Sequence, residues 1–147
     1  MEELNYETNE KKNMKYLELF KNKLESDGLS NSTIKEHVFN TRFYLNDYLT
    51  YYEYIPMEKG MSYICEFFSD WFIRKVMWST PASIKSNISS LKKFYKLMVE
   101  LNYASKEDYL EMLDDIKYEN IVGFQPVKPI IQVKKIGVET FLKSAYC

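Results

Sequence analysis

Arginine occurs only at positions 42 and 74 in a chain of 147 residues that also holds one histidine, two cysteines, four glycines and four prolines. Each scarcity closes a line of chemistry. Cys65 lies inside an apolar run and Cys147 is the last residue, so neither a Cys-x-x-Cys pair nor a zinc-ligand set exists. Cys65 reads as a small buried hydrophobe, and a reduced, cytoplasmic compartment is the simplest expectation. His37, without a neighbouring cysteine or second histidine, reads as a surface or half-buried helix residue rather than a metal ligand. The isolated glycines make no phosphate loop, and no apolar run reaches the roughly 18 residues of a membrane span. Asp114 and Asp115 are adjacent and point to different sides of a helix, which suits neither metal binding nor paired acid–base work. No catalytic residue, metal, cofactor or small-molecule substrate is therefore expected.

What is abundant is helix-forming periodicity and aromatic side chains. Met14, Leu17, Phe20 and Leu24 outline a first amphipathic helix that Gly28 ends, glycine being the usual residue at a left-handed C-terminal cap. Ser30 caps a second helix over residues 30–52, whose core face is Ile34, Val38, Thr41, Leu45, Tyr48, Leu49 and Tyr52. After a connection marked by Pro56 and Gly60, residues 61–78 are apolar almost all round, as expected of a central helix, with Phe67, Trp71, Phe72 and Trp78 in the core. Thr80 as N-cap and Pro81 at the first helical position open a fourth helix that buries Ile84, Ile88, Leu91, Tyr95 and Met98. Ser105, with Asp108 as its capping-box partner, opens a fifth that buries Tyr109, Leu113 and Ile116. The reading is one all-α domain over residues 10–119, preceded by a flexible N-terminus (1–9) and followed by an extended C-terminal arm (120–147) carrying Gly123, Pro126, Pro129 and a net charge of +3.

Charge is unevenly placed within a total of only −1. Residues 79–99 carry +4 with no acid, and residues 100–120 carry −5. No global field draws the chain to a polyanion, so any such binding is local. On the fourth helix Lys85, Ser89, Lys92 and Lys96 fall together away from the core face, with Lys93 beside them. On the second, Lys35, Arg42 and Asn46 repeat the same spacing along one flank. Two such helices packed side by side would offer one continuous surface to phosphates; the same stripes are also what the solvated side of any amphipathic helix presents.

Two segments carry a family resemblance. Gly28-Leu-Ser-Asn-Ser-Thr-Ile-Lys, with Phe43-Tyr-Leu following on the same helix, is similar to the "G-L-S-x-x-T-I-x" entry of the core-binding domain of tyrosine recombinases and phage integrases. Ser83-Ile-Lys-Ser-Asn-Ile-Ser-Ser-Leu-Lys-Lys-Phe-Tyr-Lys-Leu is similar to that domain's "T-I-x-x-x-L-S-A-L-R-x-F-F-x-x-L" helix. The resemblance runs from about Tyr16 to Glu119 and implies a four- to five-helix orthogonal bundle of the SAM-like type. It further implies double-stranded DNA as partner, with contacts through the second and fourth helices at Lys35, Arg42, Asn46, Lys85, Ser86, Ser89, Lys92, Lys93 and Lys96. Lys92 stands where that family usually has arginine, and Ser86 and Asn87 stand where arginines are common; lysine acts as a point charge on phosphate, so positioning on the backbone with little base reading is expected. The family's catalytic domain, with its arginine pair and histidine, has no counterpart in this sequence, and Tyr146 lacks the cluster that would activate it. The competing expectation is a protein-interaction module that pairs with itself or with a full-length recombinase through Phe39 and Phe43, which lie off the core face.

Overall fold

The computed structural model describes residues 6–51, 53–68 and 80–122. Those residues are overwhelmingly helical, with no strand among them. Helix α1 spans Tyr6–Ser26. It starts inside the stretch expected to be a flexible N-terminus, because Asn9 and Asn13 on its inner side are buried. It ends in a Schellman turn: the Leu29 N–H bonds the Leu24 carbonyl, the Gly28 N–H bonds that of Glu25, and Gly28 takes φ = +82°.

Helix α2, Asn31–Arg42, starts where Ser30 Oγ accepts from the Thr33 N–H at 3.3 Å. It does not continue as a regular α-helix to residue 52. From Phe43 to Tyr48 the backbone widens into a π-helical turn, closed by the Leu49 N–H on the Tyr44 carbonyl. The cause is tertiary. Tyr44 and Tyr48 stack on each other at 5.4 Å and both pack on Phe67 at 4.8 Å, which seats two large rings on one side of the chain.

The expected central helix begins differently. Met57–Tyr63 forms a three-ten helix and Ile64–Glu66 a single α turn, α3. Gly60 belongs to this element and is buried, since a Cβ there would run into the Tyr95 hydroxyl and lie 2.8 Å from Leu49 Cδ1. Two buried tyrosines hold the segment: Tyr95 donates to the Met57 carbonyl at 2.9 Å, and Tyr44 to that of Gly60 at 2.5 Å. Burial pushes both phenols well above their ordinary range, so they stay protonated donors. Cys65 is buried, as expected of a small apolar side chain, and is not a free thiol. Trp71, Phe72, Arg74, Trp78, Tyr52, Tyr146 and the C-terminal arm beyond Val122 lie outside the described residues.

Helix α4, Pro81–Glu100, has the expected Thr80 cap, completed by Ser83 into a reciprocal capping box at 3.0 and 2.7 Å. Helix α5, Lys106–Val122, follows a Schellman turn in which Asn102 takes φ = +66°. Phe20, Leu45, Leu49, Phe67, Leu91, Phe94, Tyr95 and Met98 form the centre of the core, with Phe94 set edge-on to Phe20 at 5.4 Å. α2 packs against both α4 and α1, while α5 covers α4, α3 and the three-ten turn. Among the described residues no helix is long and apolar enough to cross a membrane.

Candidate nucleic-acid interface

The exposed side of α4 follows from its own periodicity. Leu91, Phe94, Tyr95 and Met98 are fully buried, with Ile84 and Ile88 packed against them. At about 100° per residue, Lys85, Lys92 and Lys96 fall within about 40° of one another on the far side, and Lys93 stands a further step round toward α2. All four lysines are exposed, and α4 carries no acidic residue until Glu100 at its end. Lys92, Lys93 and Lys96 make no ion pair among the described residues; the pairs found there, Lys11–Glu7 and Lys23–Asp27, are exposed and involve α1. Lys85, Ile88, Ser89, Lys92 and Lys93 line a shallow groove of about 380 Å³. Asp27 and Glu100, in a cleft shared with Lys23, Lys93 and Lys96, close the basic surface at its C-terminal end.

α2 and α4 do lie side by side, and what joins them is polar. Asn40 Nδ2 donates to Ser86 Oγ at 3.1 Å and to Ser90 Oγ at 3.0 Å. Ser86 Oγ donates to Glu36 Oε1 at 3.0 Å, and Ser90 Oγ to the Ser86 carbonyl at 3.0 Å. His37 Nδ1 sits 2.7 Å from Ser90 Oγ. Because the single Ser90 hydroxyl proton is committed to a carbonyl, Nδ1 carries the proton in this contact. His37 is therefore a buried member of the seam rather than a surface residue. Its pKa is lowered, first by burial and then by the positive charge of Lys93, with Glu36 acting in the opposite sense. The His37–Ser90 pair has the spacing of a base and a nucleophile, but Ser90 is fully buried and its proton already points at a backbone carbonyl, so no substrate atom can reach it.

The predicted contact residues divide accordingly. Lys85, Lys92, Lys93 and Lys96 share one exposed face, with half-buried Ser89 among them. Ser86 is taken up in the seam by Asn40 and Glu36. Asn46 is half-buried and accepts from Asn13 Nδ2 at 2.9 Å, which ties the π turn to α1. Lys35 and Arg42 are exposed on α2. Asn40 marks the direction of α4, and at about 100° per residue Lys35 and Arg42 stand about 140° and 160° away from it. Exposed Glu36 and Phe39 stand between them and the seam, and Arg42 lies in the field of Asp47. The two basic flanks thus belong to adjacent helices but diverge, so the structure does not merge them into one surface. Phe43, expected to be exposed, is half-buried against Phe67 at 6.3 Å.

Sequence reasoning missed His37, Asn40 and Ser90 because polar residues on a helix read as solvated. The available signal was their spacing: Ile34, His37, Thr41 and Tyr44 continue one helical face, and Ser86 and Ser90 lie four apart. The acidic counterpart of the lysine face gathers elsewhere, where Glu58, Asp108, Glu111 and Asp115 line a cleft of about 330 Å³ between the three-ten turn and α5. Among the described residues no group of histidine, cysteine and carboxylate side chains could hold a metal ion. No family model, no curated protein and no solved structure matches the chain.

Proposed function

We propose that this chain is a duplex-DNA-binding module, not an enzyme, that lays the lysine face of α4 along the phosphate backbone in the manner of a recombinase core-binding domain. The observation that carries the reading is the exposed face of Lys92, Lys93 and Lys96, with exposed Lys85 on the same side, on a helix that has no acidic residue before Glu100 in a protein whose total charge is −1. A chain with no global attraction for polyanions concentrates four cations over three turns of one rigid helix, anchored by a capping box at one end and a polar seam along its flank. Lysines hold phosphates as point charges and supply no bidentate fork for guanine, so the expected mode is backbone positioning with weak sequence preference. Binding would need no cofactor.

Four neutralised phosphates give a slope of about −3.6 in log K against log salt, or about a 150-fold loss of affinity for a fourfold rise in salt. Fluorescence anisotropy of a labelled short duplex at two salt concentrations measures this. Lys92→Glu with Lys96→Glu should abolish most of the binding, and undiminished binding by that variant would refute the assignment of the face.

A second reading rests on Phe39, which is 53% exposed on α2 beside Lys35 and Arg42 and on the side turned from α4. An exposed aromatic flanked by cations suits a protein partner, whether a second copy or a recombinase. A concentration-dependent dimer in sedimentation, lost in Phe39→Glu, together with no salt-sensitive DNA retention, would favour this reading over the first.

A further inference from the structure

We infer that copies of this chain associate head to tail, the outer stripe of α2 on one copy, Lys35, Phe39 and Arg42, seating in the acidic cleft between the three-ten turn and α5 of the next. The inference stands apart from the DNA-binding reading and gives the Phe39 surface both its partner and its receptor. At about 100° per residue the three side chains lie within about 60° of one another on the side of α2 turned from α4, over about 10 Å of helix. All three are exposed, so a large aromatic ring stands in solvent between two cations. Glu36, the acid beside the stripe, accepts from Ser86 Oγ at the seam, and Asp47 lies past Arg42 on the π turn.

The cleft complements that stripe in shape and in charge. Its volume of about 330 Å³ is of ligand-enclosing size, and carboxylates are only part of its lining. Buried Met61 and Met112 and half-buried Tyr63 face it, and thioethers adapt to an aromatic ring and contact it favourably. Exposed Glu58, Asp108 and Glu111 and half-buried Asp115 are set there against a single cation, Lys59. An aromatic between cations thus matches an apolar floor between carboxylates, and one docking satisfies ring and charges together. The two halves do not meet within one copy: Phe39 is exposed, α2 packs on α1, α4 and the π turn, and α5 packs on α4, α3 and the three-ten turn. On a chain whose total charge is −1, patches of opposite sign on different helices draw copies together with little net repulsion. Because stripe and cleft are different surfaces, the contact is heterologous and a dimer keeps one unused half at each end, so association runs on past it. The lysine face of α4 belongs to neither half.

The test is sedimentation velocity over a concentration series, without nucleic acid, for the wild type, for Phe39→Glu and for Asp108→Lys with Glu111→Lys. The wild type should grow past a dimer as concentration rises, and less so at high salt. Each variant alone should associate at least about 30-fold more weakly, the loss expected when an anchor of an interface is removed. An equimolar mixture of the two variants pairs the intact cleft of one with the intact stripe of the other and should give a dimer that grows no further. A mixture that stays monomeric, a cleft variant that associates as the wild type does, or a wild type monomeric throughout overturns the inference. A measurement on the wild type alone is independent of whether the variants fold: on dilution, the NMR signals of the Phe39 ring and the Met112 methyl should shift with one midpoint, and movement of only one, or of neither, overturns it. Salt-sensitive duplex binding by a monomeric wild type overturns the self-association and leaves the DNA-binding reading in place, and self-association with no duplex affinity does the reverse.

Discussion

Replacing Ser90 with alanine tests the polar seam that sets α4 against α2. Ser90 Oγ accepts from His37 Nδ1 and from Asn40 Nδ2 and donates to the Ser86 carbonyl. It is fully buried, and the histidine and asparagine it serves are only 7% exposed each, so water cannot take its place without opening the interface. Each buried donor left without a partner costs about 1 to 3 kcal/mol. Asn40 keeps its bond to Ser86 and loses only part of its satisfaction, whereas His37 Nδ1 is stranded. Alanine's better helix propensity returns about 0.5 kcal/mol. The expected net loss is about 2 kcal/mol, a fall of about 6 °C in melting temperature for a domain of this size. Urea and thermal unfolding followed by circular dichroism would read it. In a double-mutant cycle, Asn40→Ala should cost less in the Ser90→Ala background than alone, with a coupling of about 1 kcal/mol. A Ser90→Ala protein within about 0.5 kcal/mol of wild type and no coupling to Asn40 would refute the claim that hydrogen bonds, rather than the neighbouring apolar contacts, set this interface.

Gly60→Ala should destabilise by about 2 to 3 kcal/mol in urea unfolding, because the new methyl meets the Tyr95 hydroxyl and Leu49, and Tyr95→Phe should recover part of that loss by removing the oxygen it strikes. Full additivity of the pair would contradict the assigned clash. Asn102→Gly should stabilise by about 0.5 to 1 kcal/mol, since φ = +66° at the end of α4 is strained for a residue with a Cβ; a loss of stability would show that the asparagine side chain has a role there. For pH, the His37 pKa is lowered in the folded state, so the unfolded chain binds a proton that the folded one refuses. The His37 contribution is at its full value above the unfolded pKa of about 6.5 and declines as pH falls from there toward the folded pKa. Stability of wild type minus His37→Asn, measured by urea titration across this range, should narrow on acidification, and a constant difference would contradict the assigned burial.

The helix boundaries that depend on local chemistry were legible before any coordinates. Ser30 and Thr80 cap helices because their hydroxyls satisfy N–H groups three residues on, and Gly28 ends α1 because a left-handed residue is needed there. The buried stripe of α4 was legible because Leu91, Tyr95 and Met98 are apolar as well as periodic. The π turn was not, because nothing in Phe43–Tyr48 departs from helical preference; it forms where Tyr44 and Tyr48 both meet Phe67. The three-ten start at Met57 was hidden for a related reason, as Gly60 reads as a break until Tyr95 is seen to fill the space beside it. The lysine face of α4 was visible as a pattern of exposure. Its separation from Lys35 and Arg42 was not, because that depends on Asn40 and His37 facing α4, and a buried polar pair looks like a solvated one until its partners Ser86 and Ser90 are in place.

The most direct measurement of the central claim is the salt dependence of duplex affinity for the wild type against two charge-reversed variants, Lys92→Glu with Lys96→Glu on α4 and Lys35→Glu with Arg42→Glu on α2. The α4 face as the phosphate contact predicts a slope near −3.6 for the wild type, a collapse of binding and slope for the α4 variant, and a near-wild-type slope for the α2 variant. Equal losses from both variants, or a loss from the α2 variant alone, would contradict it.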